Sequence, residues 1–247
     1  MSPARPAPPP PLDVPAGGGA RDTPYPDFDV AAADKWALDW DEKTRRLVLD
    51  HLRHVPPYRS FSPAEARLLE AVCARLLPQD DRPPAERIPI APWIDDRLAR
   101  GEGDGYRYED MPGDGEAYRR GLSGIAQTAE LLFHGPFVEL DAERQDAVLR
   151  RVADGAPPGE AWNELPARRF FQELVGEVIA RYYAHPTAWA EIGFSGPASP
   201  RGHIRLAPGK RDPWEAHETR PRSSVEIVRG ALAAGGGGTH AAGGPTH

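Results

Sequence analysis

The residues of this chain best suited to chemistry are its eight histidines, because imidazole ligates metals and moves protons near neutral pH. His51 and His54 stand three apart in a stretch with helical periodicity and can face one way. No helical Asp or Glu beside them completes a ligand motif of the His-Glu-x-x-His kind. His185 precedes a proline at a helix end, where the helix dipole favours a cation. His203 and His217 fall in an irregular C-terminal stretch, and His240 and His247 in a glycine-rich tail. A metal-dependent enzyme would have to use His185, His203 or His217 with nearby acids. A structural or solvated role is the simpler reading of each.

Other groups fare no better as catalysts. Asp80-Asp81 and Asp95-Asp96 are adjacent in sequence, and neighbours on a helix point about 100° apart, so Asp95 and Asp96 do not readily share a substrate. Ser195 lies in Gly193-Phe194-Ser195-Gly196, which lacks the spacing and the strand-to-helix setting of a nucleophile elbow. Cys73 is the single cysteine and sits among Leu69, Val72 and Leu76, on an apolar face where a thiol packs rather than reacts. Gly101, Gly103 and Gly105 follow a helix rather than a strand, and two acids among them repel phosphate, so no dinucleotide loop is read there. The chain is therefore expected to hold no catalytic residue, metal or cofactor of its own.

The elements that position these residues are helical. Residues 41–54 place Leu47, Val48 and Leu52 on one face behind Asp41 as N-cap. Ser62-Pro63-Ala64-Glu65 is a capping box with proline at the first helical position, and Leu69, Val72, Cys73 and Leu76 follow before Pro78 ends the helix. After an irregular proline-rich stretch, Ile90, Trp93, Ile94 and Leu98 mark a short helix. Tyr118, Leu122, Ile125, Ala129 and Leu132 step four, three, four, three, an amphipathic seam. Asp141 caps a helix carrying Val148, Leu149 and Val152. The longest apolar pattern, Phe170, Phe171, Leu174, Val175, Val178, Ile179 and Tyr182, runs from about Pro166 to Tyr183 and predicts the centre of the core. No segment alternates as a strand does. The expected fold is all-α, a helical domain of five to six helices over residues 27–186. It is flanked by a disordered Pro/Gly-rich tail (1–26), an irregular arm (187–220) and a low-complexity tail (221–247) with a possible short helix at 223–233.

The formal net charge is -7, with no basic stripe for a phosphate backbone, so nucleic acid is not the expected partner. No stretch approaches the roughly 20 apolar residues of a membrane span. Thr44-Arg45-Arg46-Leu47-Val48-Leu49 superficially matches a twin-arginine export pattern, but polar Asp50-His51-Leu52-Arg53-His54 follows where an apolar run is needed. It is read as a helix face, and the chain as cytoplasmic as it stands.

Past Pro186 the texture changes. Trp189, Ile192 and Phe194 are interleaved with Gly193, Gly196, Pro197, Pro200 and Gly202 at a density read here as unsuited to a helix or sheet. Aromatic side chains are costly to leave in water, and proline lowers the ordering cost of a segment. The expectation is an arm that docks on a partner protein, with Trp189 and Phe194 as anchors and Arg201 at the edge. The alternative is a lid folded over the chain's own helices.

Taken in order, Ser62-Pro63-Ala64-Glu65, Leu76-Leu77-Pro78-Gln79, Pro92-Trp93-Ile94-Asp95, Ala117-Tyr118-Arg119-Arg120-Gly121-Leu122 and Tyr182-Tyr183-Ala184-His185-Pro186 resemble the gluconate 2-dehydrogenase subunit 3 family. Trp189-Ala190-Glu191-Ile192-Gly193-Phe194, Gly196-Pro197 and Pro200-Arg201-Gly202 resemble its C-terminal signature. The resemblance covers about residues 41–218. It implies a non-catalytic small subunit that binds and stabilises a large FAD-dependent dehydrogenase of the glucose-methanol-choline type, the flavin lying in that partner, with a cytochrome c as a possible third member. The residues expected at the interface are Tyr182, Tyr183, His185, Pro186, Trp189, Ile192, Gly193, Phe194, Gly196, Pro197, Pro200 and Arg201. The family also suggests a periplasmic location with the partner, as an alternative to the cytoplasm. A protein-interaction module unrelated to redox chemistry is a further alternative.

Overall fold

A computed structural model describes residues 40–103, 108–198 and 202. Within them the chain forms seven α-helices and no strand: α1 (Glu42–Arg53), α2 (Pro63–Leu76), α3 (Ile90–Ala99), α4 (Asp114–Phe133), α5 (Ala142–Ala153), α6 (Ala167–Ala184) and α7 (Pro186–Ile192). The all-α expectation holds, with one helix more than the upper expectation of six. The expected tails, the possible helix at 223–233 and most of the expected arm lie outside the described residues.

Local chemistry sets the helix starts. The Thr44 N–H donates to the Asp41 carboxylate at 2.7 Å and the Arg144 N–H to Asp141 at 2.9 Å. At the start of α2 the capping box is complete: the Ser62 N–H donates to Glu65 at 2.8 Å, and the Glu65 N–H to the Ser62 hydroxyl at 3.4 Å. These bonds satisfy donors that a helix N-terminus leaves without intrahelical partners. The Gln79 side chain bridges the proline-rich stretch between α2 and α3. Gln79 accepts from the Ile88 N–H at 2.8 Å and donates to the Ile88 carbonyl at 3.1 Å, standing in for a backbone pair.

Helices α2 to α6 share one core. Leu69 and Val72 of α2, Ile94 of α3, Leu122 and Ile125 of α4, Val148 and Val152 of α5, and Phe170 and Leu174 of α6 are almost wholly buried. Burying each such side chain contributes roughly 1.5–3 kcal/mol. Cys73 is buried among them, and burial pushes its thiol pKa up, so it is held as a neutral packing group. The helix α4 meets α6 and the turn before it closely because it lacks side chains at two points. A Cβ on Gly121 would lie 2.1 Å from Phe170 Cζ, and one on Gly124 would lie 2.4 Å from the Trp162 indole.

The expected core role of α6 is half right. Phe170, Leu174, Val178 and Tyr182 are buried at intervals of four. The neighbouring row, Phe171, Val175, Ile179 and Tyr183, runs from half-buried to exposed. Ile179 is thus a surface residue, because the core helices cover only one stripe of α6.

Candidate docking face at the junction of the last two helices

Proline at position 186 dictates the junction. The residue before a proline is driven to extended backbone, and His185 adopts φ -75°, ψ 129°, ending α6 and capping α7. Proline is well tolerated at the first position of the new helix. The His185 Nδ1 accepts the Thr187 N–H at 3.3 Å. The expectation of a cation at this helix end is corrected: burial, followed by the positive influence of His51 and Arg82, pushes the His185 pKa down to about 3, so the ring is neutral and its Nδ1 is an acceptor.

The irregular arm expected to begin at residue 187 is corrected as well. Residues 186–192 are helical, because the proline sits where a helix can take it and Gly193, at φ 65°, supplies the left-handed stop. The described part of the segment folds back over the chain's own helices, as the lid alternative has it. Trp189, expected as an exposed anchor, is only 7% exposed. Its indole N–H donates to the Tyr183 carbonyl at 2.9 Å and its ring meets that of Phe194 edge-on at 5.2 Å. Gly196 is buried beneath it, where a Cβ would approach Trp40 to 2.6 Å and Trp189 to 2.9 Å. The Trp40 indole donates to the Pro197 carbonyl at 2.8 Å, tying the segment to the start of α1.

Beneath α7 lies a polar knot. The Tyr182 hydroxyl donates to Glu191 at 2.7 Å, and Arg82, from the loop after α2, pairs with the same carboxylate. Arg82 and Glu191 are 109 positions apart in sequence, so no local pattern announces them. Asp95 is fully buried. Its carboxylate accepts from the N–H groups of Arg59 at 2.6 Å, Ser60 at 3.0 Å and Phe61 at 2.8 Å, fixing the turn that leads into α2. Asp96 points elsewhere and pairs with Arg59 and Arg100, so the two acids are divided as their helical spacing requires.

The twelve residues expected at an interface separate into three groups. Tyr182, His185, Pro186, Trp189 and Gly196 are buried, and Gly193 and Pro197 half-buried. Tyr183, Ile192 and Phe194, together with Ile179, are large apolar side chains that remain 39–48% exposed. Pro200 and Arg201 lie outside the described residues. Two of the exposed members, Tyr183 and Phe194, are joined through Trp189, which bonds the Tyr183 carbonyl and touches the Phe194 ring. A sequence signal for Ile179 exists: apolar residues occur in adjacent pairs at 170–171, 174–175, 178–179 and 182–183, a stripe wider than one core contact needs.

Among the described residues no group of three or more His, Cys, Asp or Glu side chains is placed to hold a metal ion. His203 and His217 lie outside them. No described helix is long and apolar enough to cross a membrane.

The family model described as gluconate 2-dehydrogenase subunit 3 matches residues 63–196, from the first residue of α2 to the glycine packed under Trp40 and Trp189, a narrower span than the resemblance at 41–218. No curated protein and no solved structure matches the chain. With that match spanning more than half its length, the chain belongs to the gluconate 2-dehydrogenase subunit 3 family.

Proposed function

We propose that this chain is a non-catalytic small subunit that binds and stabilises a large FAD-dependent dehydrogenase subunit of the glucose-methanol-choline type acting on sugars or alcohols. The docking face in this reading is the outer stripe of α6 with the end of α7. The observation that carries it is the exposure of Ile179, Tyr183, Ile192 and Phe194 within one short stretch of chain, inside the family-matched residues. Exposed apolar clusters of this kind mark protein interaction sites, whereas single exposed apolar residues need no explanation. A partner that covers the stripe removes apolar surface from water and is itself held folded by the contact.

The flavin belongs to the partner in this proposal. The described residues form no strand, and so no strand-turn-helix to seat a dinucleotide. Co-expression with the flavoprotein tests the pairing. The two chains are expected to co-purify in fixed ratio, with the FAD absorption band following the large chain when they are separated. A yellow small chain after separation, or no co-purification, contradicts the proposal.

A further inference from the structure

Helix α1 is held on the protein by a narrow set of contacts, and they converge on one histidine. Only Val48 and Leu52 of the helix are buried, and α7 is its main helical neighbour. The Trp40 indole before it is latched to the Pro197 carbonyl. In the middle of the contact the His51 ring lies flat on the Trp93 indole, with centroids 4.1 Å apart and planes 16° apart, and its edge faces His185 at 5.8 Å. His54 meets the same indole edge-on at 6.4 Å. The His51 Nε2 and the Trp93 Nε1 are both buried without a hydrogen-bond partner. The helix also lies outside the family-matched residues.

Proton uptake at this place is unfavourable for structural reasons. A charged imidazole carries N–H on both nitrogens, and the buried Nε2 has no acceptor to meet it. The charges brought to the contact by the surrounding elements do not compensate. Arg181 of α6 is cationic and held by Glu177. His185 stands at the junction, and Arg82 from the loop after α2 already occupies Glu191 of α7. On α1 itself the flanking groups are the exposed Asp50, Arg53 and His54. The Trp93 face attracts a cation, and the neighbouring acid, Asp50, is exposed to solvent.

We propose that α1 is an acid-released strap: a proton on His51 frees residues 40–54 from α3 and α7 while α2 to α6 stay folded. The direction follows from linkage. Burial, then Arg181, lowers the His51 pKa from its ordinary value of 6.5, so the released strap takes a proton more readily than the docked one. Docking is at full strength above the ordinary value and weakens as pH falls below it, toward the depressed value of the docked state. While the strap is docked, His185, with a pKa pushed down to about 3, keeps its Nδ1 as the acceptor that caps α7.

Hydrogen exchange on the full chain tests it, read as protection factors corrected for the intrinsic rate, at about pH 7.5 and about pH 5.5. Protection in residues 48–53 is expected to fall several-fold, toward the roughly tenfold ceiling that a single proton site sets, while that of α4 and α6 holds. His51→Phe, which keeps a ring on Trp93 and removes the proton site, is expected to flatten the response. NMR titration of the His51 imidazole in the unmutated chain gives a second readout, with a midpoint expected below that of free histidine. Protection of α1 that ignores pH, a response retained in His51→Phe, joint loss of protection in α4 and α6, or a midpoint at or above the free value would each overturn the proposal.

Discussion

Asp95 illustrates how a residue type can be read correctly for what it does not do and missed for what it does. Its adjacency to Asp96 excludes a shared substrate, yet nothing local shows that its carboxylate gathers three successive N–H groups from a turn 34 to 36 positions away. Leaving a buried donor unpaired costs about 1–3 kcal/mol, and partial rehydration of the turn relieves some of that. Asp95→Ala is accordingly expected to lower unfolding free energy by about 2–4 kcal/mol. Asp95→Asn, which keeps one acceptor oxygen, should lose less. Urea unfolding of the three proteins checks the order; an unperturbed Asp95→Ala midpoint would remove this carboxylate from the account. The histidines follow the same logic. His185 precedes a proline in plain view, but its neutral state depends on burial against His51 and Arg82, which only the fold supplies.

At the scale of elements, two glycines predicted by neither propensity nor periodicity set the approach of α4 to α6 and its neighbouring turn. Alanine is a better helix former than glycine by about 1 kcal/mol, so propensity alone favours Gly121→Ala. The close approach of Phe170 reverses the sign: overpacking costs about 1–3 kcal/mol, and a lower melting temperature is expected. Gly176 on α6 has open space where its Cβ would stand, and Gly176→Ala should raise stability by up to about 1 kcal/mol. A scanning calorimeter that ranks the two substitutions the other way would show that the α4–α6 contact is not as described. Helix starts were legible because capping boxes and N-caps act within four residues, and so were the core seams of α2, α4 and α5. The helix α7 was obscured by the glycines and prolines around it, since their effect depends on position rather than density: Pro186 starts the helix and Gly193 stops it. The outer stripe of α6 was partly legible as doubled apolar pairs, but which row faces the core depends on where α3 and α5 pack. Ile192 and Phe194 are legible from sequence, while the burial of Trp189 is not, because Gly196, on which it packs, also receives Trp40, which is bonded to Pro197 across 157 positions.

For the whole molecule, a core of five helices, α2 to α6, is accompanied by exposed apolar side chains along α6 and α7, and the chain belongs to the gluconate 2-dehydrogenase subunit 3 family. The central claim is that this face binds the large subunit. Trp189→Ala is a poor probe of it, because removing a buried aromatic costs about 3–5 kcal/mol of fold stability. Ile179 and Phe194 are 45% and 46% exposed, so serine at both positions leaves the helices intact. The most direct measurement is the affinity of the Ile179→Ser/Phe194→Ser chain for the flavoprotein by titration calorimetry, with circular dichroism of the free chain alongside. Loss of two apolar anchors at the centre of an interface is worth about 2 kcal/mol or more, so Kd is expected to rise roughly 30-fold or beyond, with helix content retained and melting lowered only as far as loss of the Phe194–Trp189 contact requires. A folded double variant that binds the flavoprotein with the original Kd contradicts the claim.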